Sequence, residues 1–348
     1  MPWVQMFYQF KDSVSRTRAP RLVFAALVSI MLACLMWGFW MTQMPLKSYT
    51  GQAPPMTKEE LDSANHLLQH VRLLSATIGE RNLSRAGTLQ AAGEYIQSQL
   101  KQSGYSVNDQ TFMVEERQVK IIVVKLPGTD AGGETVVVGA HYDTAEGAPG
   151  ADDNGSGAAA VLELARLWQG AAFRKTIRVV LFVNEEPPYF QTSNMGSLVY
   201  AQQLRKERVS VSAMVSLEML GYYSDVPGSQ NYPAVLGLFY PSRGNFIALV
   251  GNPDSRNLLR KALRRFRETT KFPSEGLVAP ADLPGVGWSD QWSFWQEGYP
   301  AIMFTDTALF RYPYYHTLWD TFDRIDFQKE ARVLLGVRQV IESLATDP

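Results

Sequence analysis

Short apolar runs alternate with amphipathic segments from residue 57 onward, and this alternation predicts strands that are separated by helices. The runs that we interpret as strands cover residues 107–114, 119–125, 134–140, 176–184, 211–218, 245–251 and 301–304. Helical periodicity covers residues 57–75, 87–103, 158–168, 196–207, 255–270, 291–297 and 327–344. The run at 176–184 is almost wholly apolar, as in a central strand that is buried on both faces. We therefore predict an α/β fold with a mixed, mostly parallel central sheet and helices on both faces.

The N-terminal part of the chain has a different pattern. Residues 22–44 contain no charged side chain, and a helix needs about 20 apolar residues to cross a bilayer. Basic residues dominate positions 1–21, so the positive-inside rule places this segment in the cytoplasm and the rest of the chain outside it. A cleaved signal peptide is the alternative, but the apolar run is long for one and no clear cleavage site follows.

These patterns predict four parts of the chain. They are a cytoplasmic basic segment at 1–21, a transmembrane helix at 22–44, a linker at 45–56 and a folded domain at 57–348. We expect a single-pass protein of the bacterial inner membrane, with the domain on the periplasmic or extracellular side.

Composition narrows the possible chemistry. The 33 basic and 34 acidic residues give a net charge of −1, which argues against nucleic acid as a partner. Cys34 is the only cysteine, and it lies in the apolar N-terminal segment. The domain therefore has no disulfide bond, and a zinc site in it cannot use cysteine.

Imidazole and carboxylate side chains follow the ends of several predicted strands. In chain order they are His141, Asp153, Glu185, Glu186, Glu218 and His316. In open α/β sheets, binding sites form where the carboxyl ends of the strands meet. Carboxylates so close together resist ionisation unless a cation neutralises them, and zinc suits mixed nitrogen and oxygen ligands. The pattern predicts a two-metal site, for which manganese or cobalt could substitute.

Two carboxylates have further roles in this interpretation. Glu185 and Glu186 are adjacent, so their side chains point in different directions, and one can bind metal while the other accepts a proton from water. Asp143 lies two residues after His141 and can accept the second imidazole N–H, which would orient the ring.

Five motifs in this order resemble the dizinc aminopeptidase family of metallopeptidases, which also contains glutaminyl cyclases. They are H-Y-D at 141–143, G-A-D-D-N-G-S-G at 150–157, N-E-E at 184–186, the acid at 218 and Y-H-T at 315–317. The resemblance covers about residues 60–345 and implies a zinc aminopeptidase-like fold. It also suggests a strained or cis peptide bond after Asp153.

The resemblance implies a role for each matching residue. Asp153 is the bridging ligand of two zinc ions, with His141 and Glu218 on one ion and Glu186 and His316 on the other. Glu185 is the general acid/base that takes a proton from water and passes it to the leaving amine. We therefore group the predicted site residues as follows: catalytic Glu185 and Asp143, and metal-binding His141, Asp153, Glu186, Glu218 and His316.

Two positions depart from the family pattern. The family usually has aspartate where Glu218 stands, and the longer side chain can change the metal spacing. Many relatives, notably the cyclases, have histidine where this chain has Gln291. Some members hold one metal only, so the second ion can be labile.

We expect a membrane-anchored aminopeptidase that acts on peptides with a free N-terminus. The alternatives are a glutaminyl cyclase or another amide-processing enzyme of the same fold, and a non-catalytic binding ectodomain. Five aromatic residues are candidates for an apolar side-chain pocket, although core packing accounts for at least half of them: Trp288, Trp292, Trp295, Tyr314 and Tyr315.

Overall fold

One eight-stranded sheet organises the chain from Met44 onward in the computed structural model, which describes residues 18–130 and 132–347. Its strands are β1 Val107–Val114, β2 Arg117–Leu126, β3 Thr135–His141, β4 Thr176–Phe182, β5 Val211–Glu218, β6 Ile247–Gly251, β7 Ser274–Val278 and β8 Ala301–Thr305. Their order across the sheet is β1-β2-β4-β3-β5-β8-β6-β7. The sheet is therefore mixed, as the sequence predicts.

The four central strands, β4, β3, β5 and β8, are parallel to one another. Their carboxyl ends consequently lie at one edge of the sheet, and this edge receives the site residues. The chain goes from β3 to β4 on one side and then crosses to β5 on the other side of β3. Such a reversal opens a crevice at the strand ends.

The helices of this unit lie on both faces of the sheet. They are α2 Lys58–Arg72, α3 Ala86–Gln102, α4 Gly157–Leu167, α5 Gly196–Lys206, α6 Arg256–Thr269, α7 Gln291–Gln296 and α8 Phe327–Thr346, and they follow α1 Arg18–Thr42. Helices α2, α4, α6 and α8 pack together on one face, and α5 and α7 pack together on the other. Thr57 and Glu60 form a capping box that starts α2. The predicted fold class is confirmed.

The sequence patterns missed β7. Its five residues, S-E-G-L-V, include a glycine and only two large apolar side chains. So short a run at the edge of a sheet gives a weak periodic signal. The other strands and helices lie within a few residues of their predicted positions.

The apolar N-terminal segment forms α1, which belongs to a separate unit. Within it, Val23–Thr42 is long and apolar enough to cross a membrane. Large apolar side chains such as Phe24 and Met36 are exposed along it. Residues 1–17 of the predicted basic segment lie outside the described residues, and so does the side chain of Cys34. The predicted division into four parts stays a prediction.

The predicted linker, 45–56, has no helix or strand, yet it is bonded to the domain. The guanidinium of Arg267 donates hydrogen bonds of 2.9 Å to the carbonyl oxygens of both Pro45 and Leu46. The Ser274 amide of β7 donates to the hydroxyl oxygen of Ser48. This part of the segment therefore runs beside the edge strand rather than forming a free tether.

Candidate metal centre

The structure brings all the predicted metal-binding side chains to the carboxyl edge of the parallel strands. His141 and Glu218 are the last residues of β3 and β5. Asp153 lies in the turn between β3 and α4, Glu186 follows β4, and His316 lies in the loop after β8. All of them are buried except His316, whose side chain is 30% exposed.

The first group of ligand atoms surrounds the His141 ring. Its Nε2 lies 3.3 Å from Glu218 Oε2 and 3.6 Å from Asp153 Oδ1. One ligand atom from each of the three residues lies within 4.8 Å of the others. Three such atoms around one point can hold a metal ion.

The second group is formed by Asp153, Glu186 and His316. His316 Nε2 lies 3.1 Å from Asp153 Oδ2 and 3.1 Å from Glu186 Oε2. Asp153 thus offers Oδ1 to the first group and Oδ2 to the second. A carboxylate shared in this way is what a bridging ligand requires. The peptide bond between Asp153 and Asn154 is cis.

Several buried polar atoms at these positions have no hydrogen-bond partner among the described residues. They are His141 Nε2, Asp153 Oδ2, Glu186 Oε1 and His316 Nε2. Buried polar groups in proteins are almost always satisfied, so a cluster of unsatisfied ones needs an explanation. A metal ion would satisfy them, and the set of imidazole and carboxylate donors fits zinc. The residues present therefore fit the predicted cofactor.

Two hydrogen-bond donors hold the Glu218 carboxylate in place. The side-chain amide of Asn154 and the hydroxyl of Ser289 donate hydrogen bonds to Glu218 Oε2 over 3.1 and 2.6 Å. Both donors are buried. The longer side chain of glutamate is thus fixed at this position, where the family pattern usually has aspartate.

Glu185 lies beside the first group. Its Oε2 is 3.7 Å from His141 Nε2, whereas Glu186 next to it reaches His316. The histidine contacted thus differs between the two neighbours, although ligand atoms of Glu185, Glu186 and His141 also lie within 4.8 Å of one another. Glu185 is 6% exposed, so it is shielded from bulk water but borders the site.

Asp143 contacts both the His141 ring and the backbone that follows β4. His141 Nδ1 lies 3.2 Å from the backbone carbonyl oxygen of Asp143 but 3.6 Å from its carboxylate. The carboxylate instead accepts hydrogen bonds of 3.2 Å from the backbone amides of Glu185 and Glu186. A carbonyl group orients the imidazole ring, and the Asp143 side chain fixes the segment that carries both glutamates.

Burial and mutual repulsion perturb the pKa values of the acidic groups. Burial raises the pKa of Glu185 well above its usual range, and the negative charges of Glu186 and Glu218 raise it further. Burial and the Asp153 charge raise the pKa of Glu186 to about 7. Without a cation, the site therefore holds protons at neutral pH.

The two histidines respond to the same carboxylates. Burial by itself lowers the pKa of His141, but the charges of Glu218 and Glu185 outweigh it and raise the pKa well above its usual value. Burial likewise opposes the charged form of His316, but hydrogen bonding and charge from Asp153 and Glu186 raise its pKa to about 10. Metal binding must displace these protons.

The raised pKa values of Glu186 and His316 both make the zinc-free protein less stable as the pH rises. The pKa of Glu186 is raised from 4.5 to about 7 on folding, so its contribution to stability is lost as the pH rises through that range. The contribution of His316 is present below its unfolded pKa of 6.5 and is lost as the pH rises toward about 10. Both groups destabilise the zinc-free fold as the pH increases.

We therefore expect the Tm of the zinc-free protein to fall as the pH rises from about 5 to about 8. Zinc should raise the Tm more at the higher pH, because the ligands must lose their protons to bind it. Thermal unfolding with a chelator or with excess zinc measures both effects. A zinc-free Tm that rises over this range would contradict the account.

The motif pattern did not identify Asp320 as part of the site's support. Its carboxylate accepts hydrogen bonds from the backbone amides of Asp152 and Asp153, over 2.8 and 3.1 Å, and from the Tyr312 hydroxyl. It therefore fixes the backbone of the shared ligand. Its position four residues after His316 carries no periodic or motif signal that would have found it.

A mostly apolar cavity opens beside the metal-binding groups. Glu218 and Tyr315 border it, and its walls include Phe246, Leu277, Met303 and Trp288. The Tyr315 ring stacks on His316 with a centroid distance of 3.8 Å. Of the five predicted pocket aromatics, Trp288 and Tyr315 line this cavity, whereas Trp292, Trp295 and Tyr314 do not. Trp295 instead donates to the Ala301 carbonyl, and Tyr314 packs against Tyr312.

Comparison with known proteins identifies the class to which this fold and site belong. The model of peptidase family M28 matches residues 122–341. The uncharacterized protein YfbL of Escherichia coli is 38% identical over 284 residues, which cover 79% of this chain and 86% of that protein. The chain spans only 26–55% of the length of three further relatives.

Solved structures share the fold. A zinc aminopeptidase from Bacillus subtilis has a TM-score of 0.66 and 16% identity, over 88% of this chain and 97% of that one. A glutaminyl cyclase from Tannerella forsythia has a TM-score of 0.60 and 20% identity, over 80% of this chain and 98% of that one. At these identities the likeness concerns the fold alone.

The chain belongs to peptidase family M28. The predicted enzyme class, a metallo-aminopeptidase that hydrolyses peptide bonds, is confirmed at this level. The family supports zinc as the cofactor, and the buried imidazole and carboxylate groups of this chain fit it. The number of ions and the roles of individual residues stay predictions.

Proposed function

We propose that this chain is a membrane-anchored exopeptidase that removes N-terminal residues from peptides with a two-zinc centre. The observation that carries the proposal is the shared position of Asp153, whose two oxygens face two separate groups of ligands. His141 and Glu218 complete one group, and Glu186 and His316 complete the other.

Zinc held by these residues would lower the pKa of a water molecule and polarise the carbonyl group of a substrate. Glu185 is the side chain that moves the proton. Its carboxylate lies beside the first group, where it can accept a proton from water and then donate it to the leaving amine. The Asp143 carboxylate accepts a hydrogen bond from the backbone amide of Glu185 and thereby helps to orient the Glu185 side chain.

Tyr315, whose ring stacks on His316, can assist the reaction. Its hydroxyl stays protonated at neutral pH, because burial and the surrounding carboxylates raise its pKa above the ordinary value. A protonated phenol is a hydrogen-bond donor. It can therefore stabilise negative charge that develops on a substrate oxygen.

The surroundings of the site indicate the kind of substrate. The apolar walls of the adjoining cavity suit a large aliphatic or aromatic side chain. If the substrate is a peptide, its free N-terminal amine could bind one of the zinc ions. We infer a preference for peptides that begin with an unblocked, bulky apolar residue.

Mass spectrometry of peptide mixtures tests the proposal. The full chain in detergent, loaded with zinc, is incubated with matched peptides that begin with Leu, Phe, Asp or Gln, each with a free or an acetylated N-terminus. We expect stepwise removal of Leu and Phe from the free peptides and no cleavage of the acetylated ones.

Other outcomes would contradict it. Loss of ammonia from peptides that begin with Gln, without shortening, would identify a glutaminyl cyclase. No reaction of any peptide with zinc bound would indicate a non-peptide substrate or a binding role. Cleavage that is unaffected by acetylation would exclude an exopeptidase that depends on the N-terminal amine.

The apolar, exposed surface of α1 supports the membrane anchor, although a cleaved signal peptide would have the same features. We expect the full chain to stay with bacterial membranes after an alkaline carbonate wash, because about 20 apolar residues give stable insertion. A variant that begins at Met44 serves as the control and should be released. Release of the full chain, or a mature N-terminus after the apolar run, would contradict the anchor.

A further inference from the structure

Arg81 is fully buried next to the candidate metal centre, in the connection between α2 and α3. Its guanidinium donates hydrogen bonds to the backbone carbonyl oxygens of Tyr142 and Pro149, each over 2.7 Å, and of Gly150 over 2.8 Å. Longer contacts of 3.3 and 3.4 Å reach the carbonyls of Gly79 and Leu74. Among the described residues, no carboxylate lies within ion-pair distance of this side chain.

The three short bonds hold the two ends of one loop. Tyr142 follows His141 directly, and Gly150 lies three residues before Asp153. The loop between them connects a ligand of the first group to the ligand that both groups share. The backbone of Arg81 adds two more bonds of 3.1 Å, which pair its amide with the Thr144 hydroxyl and its carbonyl with the Thr144 amide.

The charge of Arg81 also matters at this position. Burying a cation without a paired anion is costly, and hydrogen bonds to carbonyl groups offset part of that cost. Burial lowers the pKa of Arg81 to about 10, while Asp320, Asp143 and Asp153 act to raise it. The side chain therefore remains a cation near the carboxylates that hold the metal, and it offsets part of their mutual repulsion.

We propose that Arg81 is a positioning residue for the metal centre. Its hydrogen bonds to both ends of the loop between His141 and Asp153 fix the separation of these two ligands. This inference rests on the proposed metal site. It predicts that changing Arg81 weakens zinc binding by more than the accompanying loss of fold stability explains. Substitutions of residues that orient metal ligands typically cost about 10–100-fold in metal affinity.

Two variants of Arg81 and one control separate positioning from general stability. Arg81→Gln removes the charge and most donors. Arg81→Lys keeps the charge, but its single ammonium group cannot replace the planar fork of donors that reaches three carbonyls. The control is Arg332→Gln, because Arg332 is also buried and donates to the Pro54 carbonyl and to Met56, in the segment before α2.

The readouts are zinc affinity by chelator competition, the visible spectrum of the cobalt-loaded protein, and the Tm without metal. We expect zinc binding to weaken about 100-fold in Arg81→Gln and about tenfold in Arg81→Lys, with an altered cobalt spectrum in both. The Arg332 control should lower the zinc-free Tm without changing affinity or spectrum. If Arg81→Gln does not fold, Arg81→Lys decides the outcome.

Zinc affinities within twofold of wild type in the Arg81 variants, with an unchanged cobalt spectrum, would overturn the proposal. So would an equal loss of affinity in the Arg332 control. Failure of the wild-type protein to bind zinc would be a different result, because it would refute the proposed metal site itself.

Discussion

Replacing Glu185 by Gln is expected to lower kcat by about 10²–10⁴-fold, the usual contribution of a positioned general base. The amide has nearly the same shape but cannot accept a proton from water. The bound zinc should remain, because Glu185 is assigned to neither group of ligands that shares Asp153. Steady-state kinetics on an unblocked leucyl peptide, with metal content measured on the same sample, checks both statements.

The neighbouring residue provides a matched control for this prediction. Glu186→Gln makes the same chemical change one position along the chain, but Glu186 lies 3.1 Å from His316 and belongs to the second group. It should lose zinc affinity as well as activity. If the two variants behave alike in metal content, the assignment of one glutamate to proton transfer and the other to metal binding is wrong.

Replacing Asp153 by Ala is expected to have the largest effect on metal binding. This carboxylate faces both groups, so its loss removes one ligand from each. Zinc affinity should fall by more than the about 10–100-fold that follows loss of an outer ligand contact. Metal analysis after dialysis, together with kcat/KM, measures the effect.

Glu163→Gln is a suitable comparison for the Asp153 variant. Glu163 is also a fully buried carboxylate, but it lies on α4, where it accepts hydrogen bonds from Ser63 of α2 and from Arg166. Its substitution should lower stability and leave the zinc content unchanged. If the Asp153→Ala variant retains two zinc ions, the ions are not held through a shared carboxylate.

The sheet and the ligand positions could be predicted because they depend on local signals. Continuous apolar runs mark the buried parallel strands, and polar residues at their ends mark the edge where sites form. His141 and Glu218, each the last residue of a strand, illustrate this. The resemblance to the aminopeptidase family then supplied the pairing of residues into two groups.

The supporting contacts could not be predicted because they join residues that are distant in sequence. Asp320 holds the backbone amides of Asp152 and Asp153 from 168 and 167 positions away. Arg81 holds carbonyl groups, and any residue type presents the same carbonyl, so no motif reveals the contact. For Asp143 the sequence predicted the contact with His141 but not that the backbone carbonyl oxygen would lie nearer to the ring than the carboxylate does.

The most direct measurement for the central claim is anomalous X-ray diffraction at the zinc absorption edge from crystals of the zinc-loaded protein. Two peaks are expected, one among His141, Asp153 and Glu218 and the other among Asp153, Glu186 and His316, with Asp153 between them. A single peak in one group would refute the two-zinc centre and leave a mononuclear site. Peaks elsewhere, or none at these residues in zinc-loaded crystals, would contradict the assignment of the site.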